Sequence, residues 1–216
     1  MIVAAAAGAA PVAWLVARAA GIVAFALLTT SVTLGLALST KLLGNRRGKM
    51  LLGWHQTLLW TSLGMVVLHL AGLLLDPVLR FGFLAVLVPG AAPWRPLPVA
   101  AGIVTLWLML VLASSFHVRR RIGQRRWRLL HYASSIAFTL GLYHALNVGS
   151  DLTGARGLIF VGVAAAPVLW LAYARILLPR TKPRTAPPRP PLPSAQPPLA
   201  QPPLDDPSAP RAAVPA

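Results

Sequence analysis

The chain of 216 residues is 56% hydrophobic and only 11% charged, with a mean hydropathy of +0.68, which is more apolar surface than a soluble domain of this length can bury. Its formal net charge is +16, and it contains four acidic residues and no cysteine. The absence of cysteine excludes disulfides, iron–sulfur clusters and zinc–thiolate sites. Four carboxylates are too few to favour hydrolysis by paired acidic residues or an all-oxygen metal site. Histidine is therefore the expected residue for ligand or redox chemistry.

Five stretches are predicted to be membrane-spanning helices, because a crossing needs about 20 consecutive apolar residues. In chain order they are 11–38, 51–75, 97–116, 129–148 and 158–178. A shorter apolar run between the second and third is predicted to be interfacial or re-entrant, since eight residues cannot cross as a helix. The first stretch lacks the basic region that begins a signal peptide, so we expect it to remain as a span.

The expected fold is therefore an all-α polytopic membrane helix bundle of about five helices, over residues 1–178. Residues 179–216 are rich in proline and poor in hydrophobic residues, which predicts a disordered, polyproline-like cytoplasmic tail. This tail either docks a partner or is a plain solvated extension.

Basic residues indicate the orientation of the bundle. They are concentrated in the first loop (Lys41, Arg46, Arg47, Lys49), the third loop (Arg119, Arg120, Arg121, Arg125, Arg126, Arg128) and the flank of the last span (Arg175, Arg180, Lys182, Arg184). The positive-inside rule then puts the N-terminus outside and the C-terminus in the cytoplasm. Membrane lipid is the expected partner of these charges, and no nucleic acid is expected, because no folded soluble module accompanies them.

Four of the five histidines form two ladders inside apolar stretches. His55 and His69 are 14 residues apart, and His131 and His144 are 13 apart. Either spacing separates two imidazoles by roughly 20 Å along a helix, and strongly polar side chains at membrane depth usually mark a function. Since the second and fourth spans run in the same direction, we expect His55 beside His131 and His69 beside His144. Imidazole is a common axial ligand of haem, so the pattern predicts two haems and electron transfer across the membrane.

The 13-residue step does not fit an ideal helix. A step of 14 residues returns to within about 40° of the starting face, but a step of 13 leaves the second side chain about 140° away. A local π-bulge, a bend, or two haems approached from different directions would reconcile His131 with His144.

Cationic side chains near the ladders are candidate partners for haem propionates. Arg125 and Arg128, which flank Trp127, are the candidates on the cytoplasmic side. Arg18, the only charge within the first span, is the candidate on the outer side, and snorkelling to the interface is its alternative role. Arg95 in the outer loop would meet either a propionate or an electron acceptor.

Glycines, the fifth histidine and the tryptophans allow less specific predictions. Gly21, Gly35, Gly64, Gly72 and Gly141 either admit a porphyrin edge or serve ordinary helix packing. His117 is predicted to be interfacial. Trp54, Trp94, Trp127 and Trp170 lie near span ends and are predicted to form aromatic belts rather than electron stepping-stones.

The segments WHQTLLWTSLGMVVLHLAGLLLDP, VPGAAPWRPL and RRRIGQRRWRLLHYASSIAFTLGLYHALNVGSD resemble the ferric reductase-like transmembrane domain family. This superfamily includes the NADPH oxidases, the ferric reductases and the haem subunit of a periplasmic methionine sulfoxide reductase system. The resemblance covers roughly residues 17–178, is closest to short bacterial members, and implies a protein of the bacterial cell (inner) membrane. It also implies two b-type haems, bound by His55 with His131 and by His69 with His144, that carry electrons to an outer acceptor such as ferric iron, oxygen or a partner protein.

The chain departs from its larger relatives in lacking their flavin and nicotinamide domains, and no Gly-x-Gly-x-x-Gly element follows a strand. A separate flavoprotein or the quinol pool is therefore the expected electron donor, and an extracytoplasmic redox protein is a candidate acceptor. The chain would be the haem-binding subunit of an oxidoreductase, with no catalytic side chain of its own. Two alternatives stay open: an assembly subunit of the same fold, and a histidine-lined metal or proton transporter, which the lack of intramembrane carboxylates disfavours.

Overall fold

The computed structural model describes residues 2–40, 48–78, 80–149 and 154–177. Within them all regular structure is helical, and the helices are α1 (Ile2–Thr40), α2 (Gly48–Leu75), α3 (Phe83–Leu87), α4 (Pro96–Ile122), α5 (Gln124–His131), α6 (Ala133–Val148) and α7 (Gly154–Leu177). The all-α membrane bundle predicted from composition is confirmed. The predicted tail, 179–216, lies outside the described residues.

Four helices of the described part are long and apolar enough to cross a membrane: Val12–Thr40, Gly48–Leu75, Pro96–Ile122 and Gly154–Leu177. Their outward faces keep large apolar side chains exposed, as on α7, where Val163, Leu169 and Trp170 are each more than 60% accessible. Helices that are apolar on every side are typical of membrane spans. These exposed side chains therefore form a lipid-facing surface.

The fourth predicted span, 129–148, differs from the single helix expected. Gly123, whose φ of 82° favours glycine, separates α4 from the arginine-rich α5. A turn at Tyr132 then separates α5 from α6. Helix α6 has 16 residues and is thus about 24 Å long, shorter than the hydrocarbon core of about 30 Å. The charged α5 and the apolar α6 therefore follow one another as two short helices.

Two antiparallel helix pairs form the bundle: α1 packs along α2, and α4 packs along α6. Between them lies a core that includes Phe25, Met109 and Phe138, with the rings of Phe25 and Phe138 stacked 5.8 Å apart. Buried hydroxyls also link the helices, as Ser62 donates to the Ala24 carbonyl at 2.8 Å. Close packing and hydrogen bonds of this kind hold helices together in lipid, where the hydrophobic effect between them is absent.

The short apolar run between α2 and α4 folds back over the ends of these two helices. Its helix α3 has five residues. This is too few to cross the membrane, as the short length of the apolar run predicted. Side chains of this run, Phe81, Ala85, Val86 and Ala92, pack against Leu70, Leu73, Leu74 and Val99. Arg95, with a φ of 44°, turns the chain into α4 and donates a hydrogen bond to the Asn147 carbonyl at the end of α6.

Candidate functional site

The four ladder histidines form two pairs at two levels of the bundle. The ring centroids of His55 and His131 are 6.0 Å apart, and those of His69 and His144 are 6.4 Å apart. The planes of the two rings meet at 68° in the first pair and at 86° in the second. Because α2 supplies one histidine to each pair and the α5–α6 segment supplies the other, these two elements run in the same direction.

The turn at Tyr132 changes the rotation of the chain between His131 and His144. Here the backbone hydrogen bonds change to i→i+3 spacing: the Tyr132 N–H donates to the Leu129 carbonyl at 3.1 Å and the Ser135 N–H to the Tyr132 carbonyl at 3.0 Å. Such a turn advances about 120° per residue instead of about 100°, so over its three or four residues it supplies roughly 60–80° of the 140° or so that the 13-residue step lacks. The structure thus shows a break between α5 and α6, a feature that was not among the alternatives predicted from the sequence.

Three of the four imidazoles are anchored to a backbone carbonyl through Nδ1. The Nδ1 atoms of His55, His69 and His144 lie 2.8, 2.6 and 2.8 Å from the backbone carbonyl oxygens of Ser31, Ala17 and Pro98, respectively. A carbonyl oxygen only accepts hydrogen bonds, so Nδ1 carries the proton in each of these rings. The lone pair is therefore on Nε2, the other ring nitrogen, which is available to bind a metal.

A glycine lies four residues after each of these carbonyls, on the same facing helix. A Cβ placed on Gly21 would be 2.9 Å from His69 Nδ1, and one on Gly102 would be 2.6 Å from His144 Nδ1. A Cβ on Gly35 would be 3.1 Å from His55 Cε1. These three glycines, which we call the seat glycines, thus let each ring lie against the helix backbone and reach a carbonyl one turn away.

Gly21 and Gly35 contact histidine rings, a role that differs from both the porphyrin edge and the ordinary helix packing predicted from the sequence. Gly21 and Gly35, 14 residues apart on α1, contact the two histidines of α2, which are also 14 apart. Gly72 packs instead against Ala17, and a Cβ on Gly64 would meet nothing within 4 Å. Gly102 was not among the glycines predicted to lie near a ladder histidine, because nothing in the sequence indicates that it faces His144.

A cavity of about 410 Å³ lies beside the His69–His144 pair. Its wall is mostly apolar and includes Phe25 and Met109 as well as the seat glycines Gly21 and Gly102. Pockets that hold cofactors in proteins fall in the range of about 300–1,000 Å³ and are mainly apolar with a few polar groups. The cavity thus has room for an apolar group that reaches both imidazoles.

In comparisons with known proteins, no family model, no curated protein and no solved structure matches this chain. The resemblance to the ferric reductase-like family accordingly rests on the quoted segments and the histidine spacing. The geometry of the two pairs is independent of that resemblance.

The candidate cationic partners have different surroundings. Arg18 lines the cavity beside His69 and His144, and its guanidinium lies 4.4 Å from the centre of the Trp14 ring. Arg125 and Arg128 are exposed on α5. Trp127 lies between them in the sequence and was predicted to be part of an aromatic belt. In the structure its ring stacks on the His131 ring, with the centroids 4.9 Å apart.

The remaining sequence candidates are peripheral. His117 is exposed, with its ring edge-on to Phe116 at 6.2 Å. Arg95 is exposed and bonded to the Asn147 carbonyl, and its guanidinium lies 5.1 Å from the centre of the Trp94 ring. Trp94 itself lines the cavity.

Within the described ranges, no group of three or more His, Cys, Asp or Glu side chains is placed to hold a metal ion.

Proposed function

We propose that this chain is a di-haem electron-transfer protein of the membrane, with the ferric reductase-like domain that its sequence resembles. The distance between paired imidazoles carries the proposal. Metal–imidazole bonds are about 2 Å long, so two histidines on opposite sides of one iron have their nitrogens about 4 Å and their ring centres about 6 Å apart. The centroid distances of 6.0 and 6.4 Å match this value at both levels.

The surroundings of the pairs support the same group. Each pair offers two nitrogen ligands, and no third His, Cys, Asp or Glu joins them in the described part of the chain, which suits a metal that brings four in-plane ligands of its own. The carbonyl anchors fix the tautomer and orientation of His55, His69 and His144, as is usual for metal-binding histidines. Arg18 offers a positive charge to the propionates at the cavity.

When bound, b-type haem supplies one-electron redox chemistry, and the residues of this chain decide its use. His55 with His131 would hold one haem and His69 with His144 the other, and haems held by two histidines each would supply electron transfer rather than oxygen binding. The two levels are roughly 20 Å apart along α2, so together they divide the hydrocarbon core into shorter steps. The wall of the cavity at the His69–His144 site is mostly apolar, which disfavours water there.

Orientation and partners follow from the charge pattern of the loops. In this proposal the N-terminus is outside and the C-terminus is in the cytoplasm of a bacterial cell with the protein in its inner membrane. His55 and His131 then form the inner site and His69 and His144 the outer site. A flavoprotein or quinol donates electrons at the inner site, and ferric iron, oxygen or an extracytoplasmic redox protein accepts them at the outer site.

We expect the purified full-length chain, expressed with haem supplied, to contain two b-type haems per chain by the pyridine haemochrome assay. His117→Ala should also contain two, because this histidine is exposed and belongs to neither pair. Protein with no b-type absorbance would refute the proposal. Transport of metal ions or protons by such haem-free protein would favour the transporter alternative.

A further inference from the structure

His131 is held differently from the other three ladder histidines. Its Nδ1 is buried and has no hydrogen-bond partner among the described residues. Instead, the indole of Trp127, one helical turn earlier, stacks on the imidazole with centroids 4.9 Å apart and planes 24° apart. Where His55, His69 and His144 have a carbonyl anchor across the helix interface, His131 thus has an aromatic contact within its own helix.

Trp127 is itself held by the neighbouring helix. The guanidinium of Arg119, in the last turn of α4, lies 5.4 Å from the centre of the Trp127 ring and 5.0 Å from that of Phe116. Cations at this distance are attracted to the face of an aromatic ring. The position of His131 therefore depends on α4 through Arg119 and Trp127.

The backbone at His131 is also less constrained. His131 is the last residue of α5, whereas the other three ladder histidines lie inside α2 or α6. The next residue, Tyr132, forms the turn and accepts a hydrogen bond from Arg175 of α7 at 2.9 Å. Movement of the backbone at a helix end breaks fewer i→i+4 hydrogen bonds than movement inside a helix, so the backbone that carries the His131 ring shifts more readily.

These differences have a consequence for ligand exchange. When an anchored imidazole leaves a metal, the ring must also give up its Nδ1–H hydrogen bond to the carbonyl. His131 has no such bond to lose among the described residues. The bond also raises the basicity of a ligating imidazole, so a ring without it binds a metal more weakly. The four histidines are therefore unequal ligands.

We propose that Trp127 is the positioning residue for His131, in the place of a carbonyl anchor, and that the inner site is where a small neutral ligand such as carbon monoxide displaces a histidine. This inference rests on the proposed function. In the exchange the iron–nitrogen bond to His131 breaks and one iron–carbon bond forms, with no change in the number of electrons. The displaced ring keeps its Nδ1 proton.

The test titrates carbon monoxide into the dithionite-reduced full-length protein and follows the absorption spectrum. We expect one of the two haems per chain to bind carbon monoxide, and Trp127→Leu, which keeps bulk without the aromatic ring, to increase its affinity by about tenfold, the lower end of typical effects of residues that support a metal ligand. Trp127→Phe retains the stacking and should behave as the unmodified protein does. Trp170→Ala removes a lipid-exposed tryptophan of α7 and serves as the control.

The outcomes separate the two proposals. Equal affinities in Trp127→Leu, Trp127→Phe and the unmodified protein would overturn the role of Trp127, and carbon monoxide binding to both haems would overturn the assignment of exchange to one site. If Trp127→Leu retains only one haem while Trp127→Phe retains two, the positioning role is supported, because only the aromatic ring restores the site. Absence of haem from the unmodified protein would instead refute the proposed function.

Discussion

Replacing His69 with alanine is expected to leave one haem per chain and to reduce electron transfer across a sealed membrane to the background rate. The variant loses one of the two nitrogens that meet at the outer level, where His69 and His144 have ring centres 6.4 Å apart. The remaining site lies roughly 20 Å away along α2, so a gap of more than half of the hydrocarbon core of about 30 Å would have no redox centre.

The measurement uses proteoliposomes that enclose a membrane-impermeant ferric chelate and receive an external reductant, with the rate of iron reduction as the readout. His144→Ala removes the partner ring and should have the same effect. His117→Ala changes the exposed histidine and should retain the full rate. If His69→Ala conducts as fast as the unmodified protein, electron transfer does not pass through the outer pair. A variant that stops conduction but keeps both haems would assign His69 a role other than ligation.

The overall fold was predictable because its signals are local. Long apolar stretches separated by basic loops are enough to predict a helix bundle and the direction of each span. The direction of the second and fourth spans, with the histidine spacing, also predicts which histidines lie side by side. The structure places His55 beside His131 and His69 beside His144.

The details of the site were not predictable, because they depend on contacts between distant parts of the chain. Segments that are apolar on every side give no periodic signal for the face that meets a neighbour, so Gly102 was not distinguishable from other glycines before α4 was placed beside His144. The break at Tyr132 was also hidden, because no proline or glycine marks it and it falls where the charged α5 is followed by the apolar α6. Trp127 lies near a span end like other tryptophans, and only the structure shows its ring against His131.

Gly102→Ala is expected to weaken retention of the outer haem by about 10- to 100-fold, the usual effect of disturbing the groups that orient a metal-binding histidine. A Cβ at this position would lie 2.6 Å from His144 Nδ1, so the ring must move away and lose its hydrogen bond to the Pro98 carbonyl. The rate of haem transfer to excess apomyoglobin, with the haem count per chain, measures the effect. The contacts predict a smaller effect for Gly21→Ala, at 2.9 Å from His69 Nδ1, and the smallest for Gly35→Ala, at 3.1 Å from His55 Cε1.

Gly64→Ala is the matched control, since a Cβ there meets nothing within 4 Å and α2 gains up to about 1 kcal/mol of helix propensity. Its haem retention should equal that of the unmodified protein. Equal retention in Gly102→Ala and Gly64→Ala would show that the close approach of helix backbone to imidazole is not needed to hold the ring. A decrease in Gly102→Ala alone, at constant helix content by circular dichroism, would locate the effect at the His144 ring, because both variants add the same methyl group to a helical glycine.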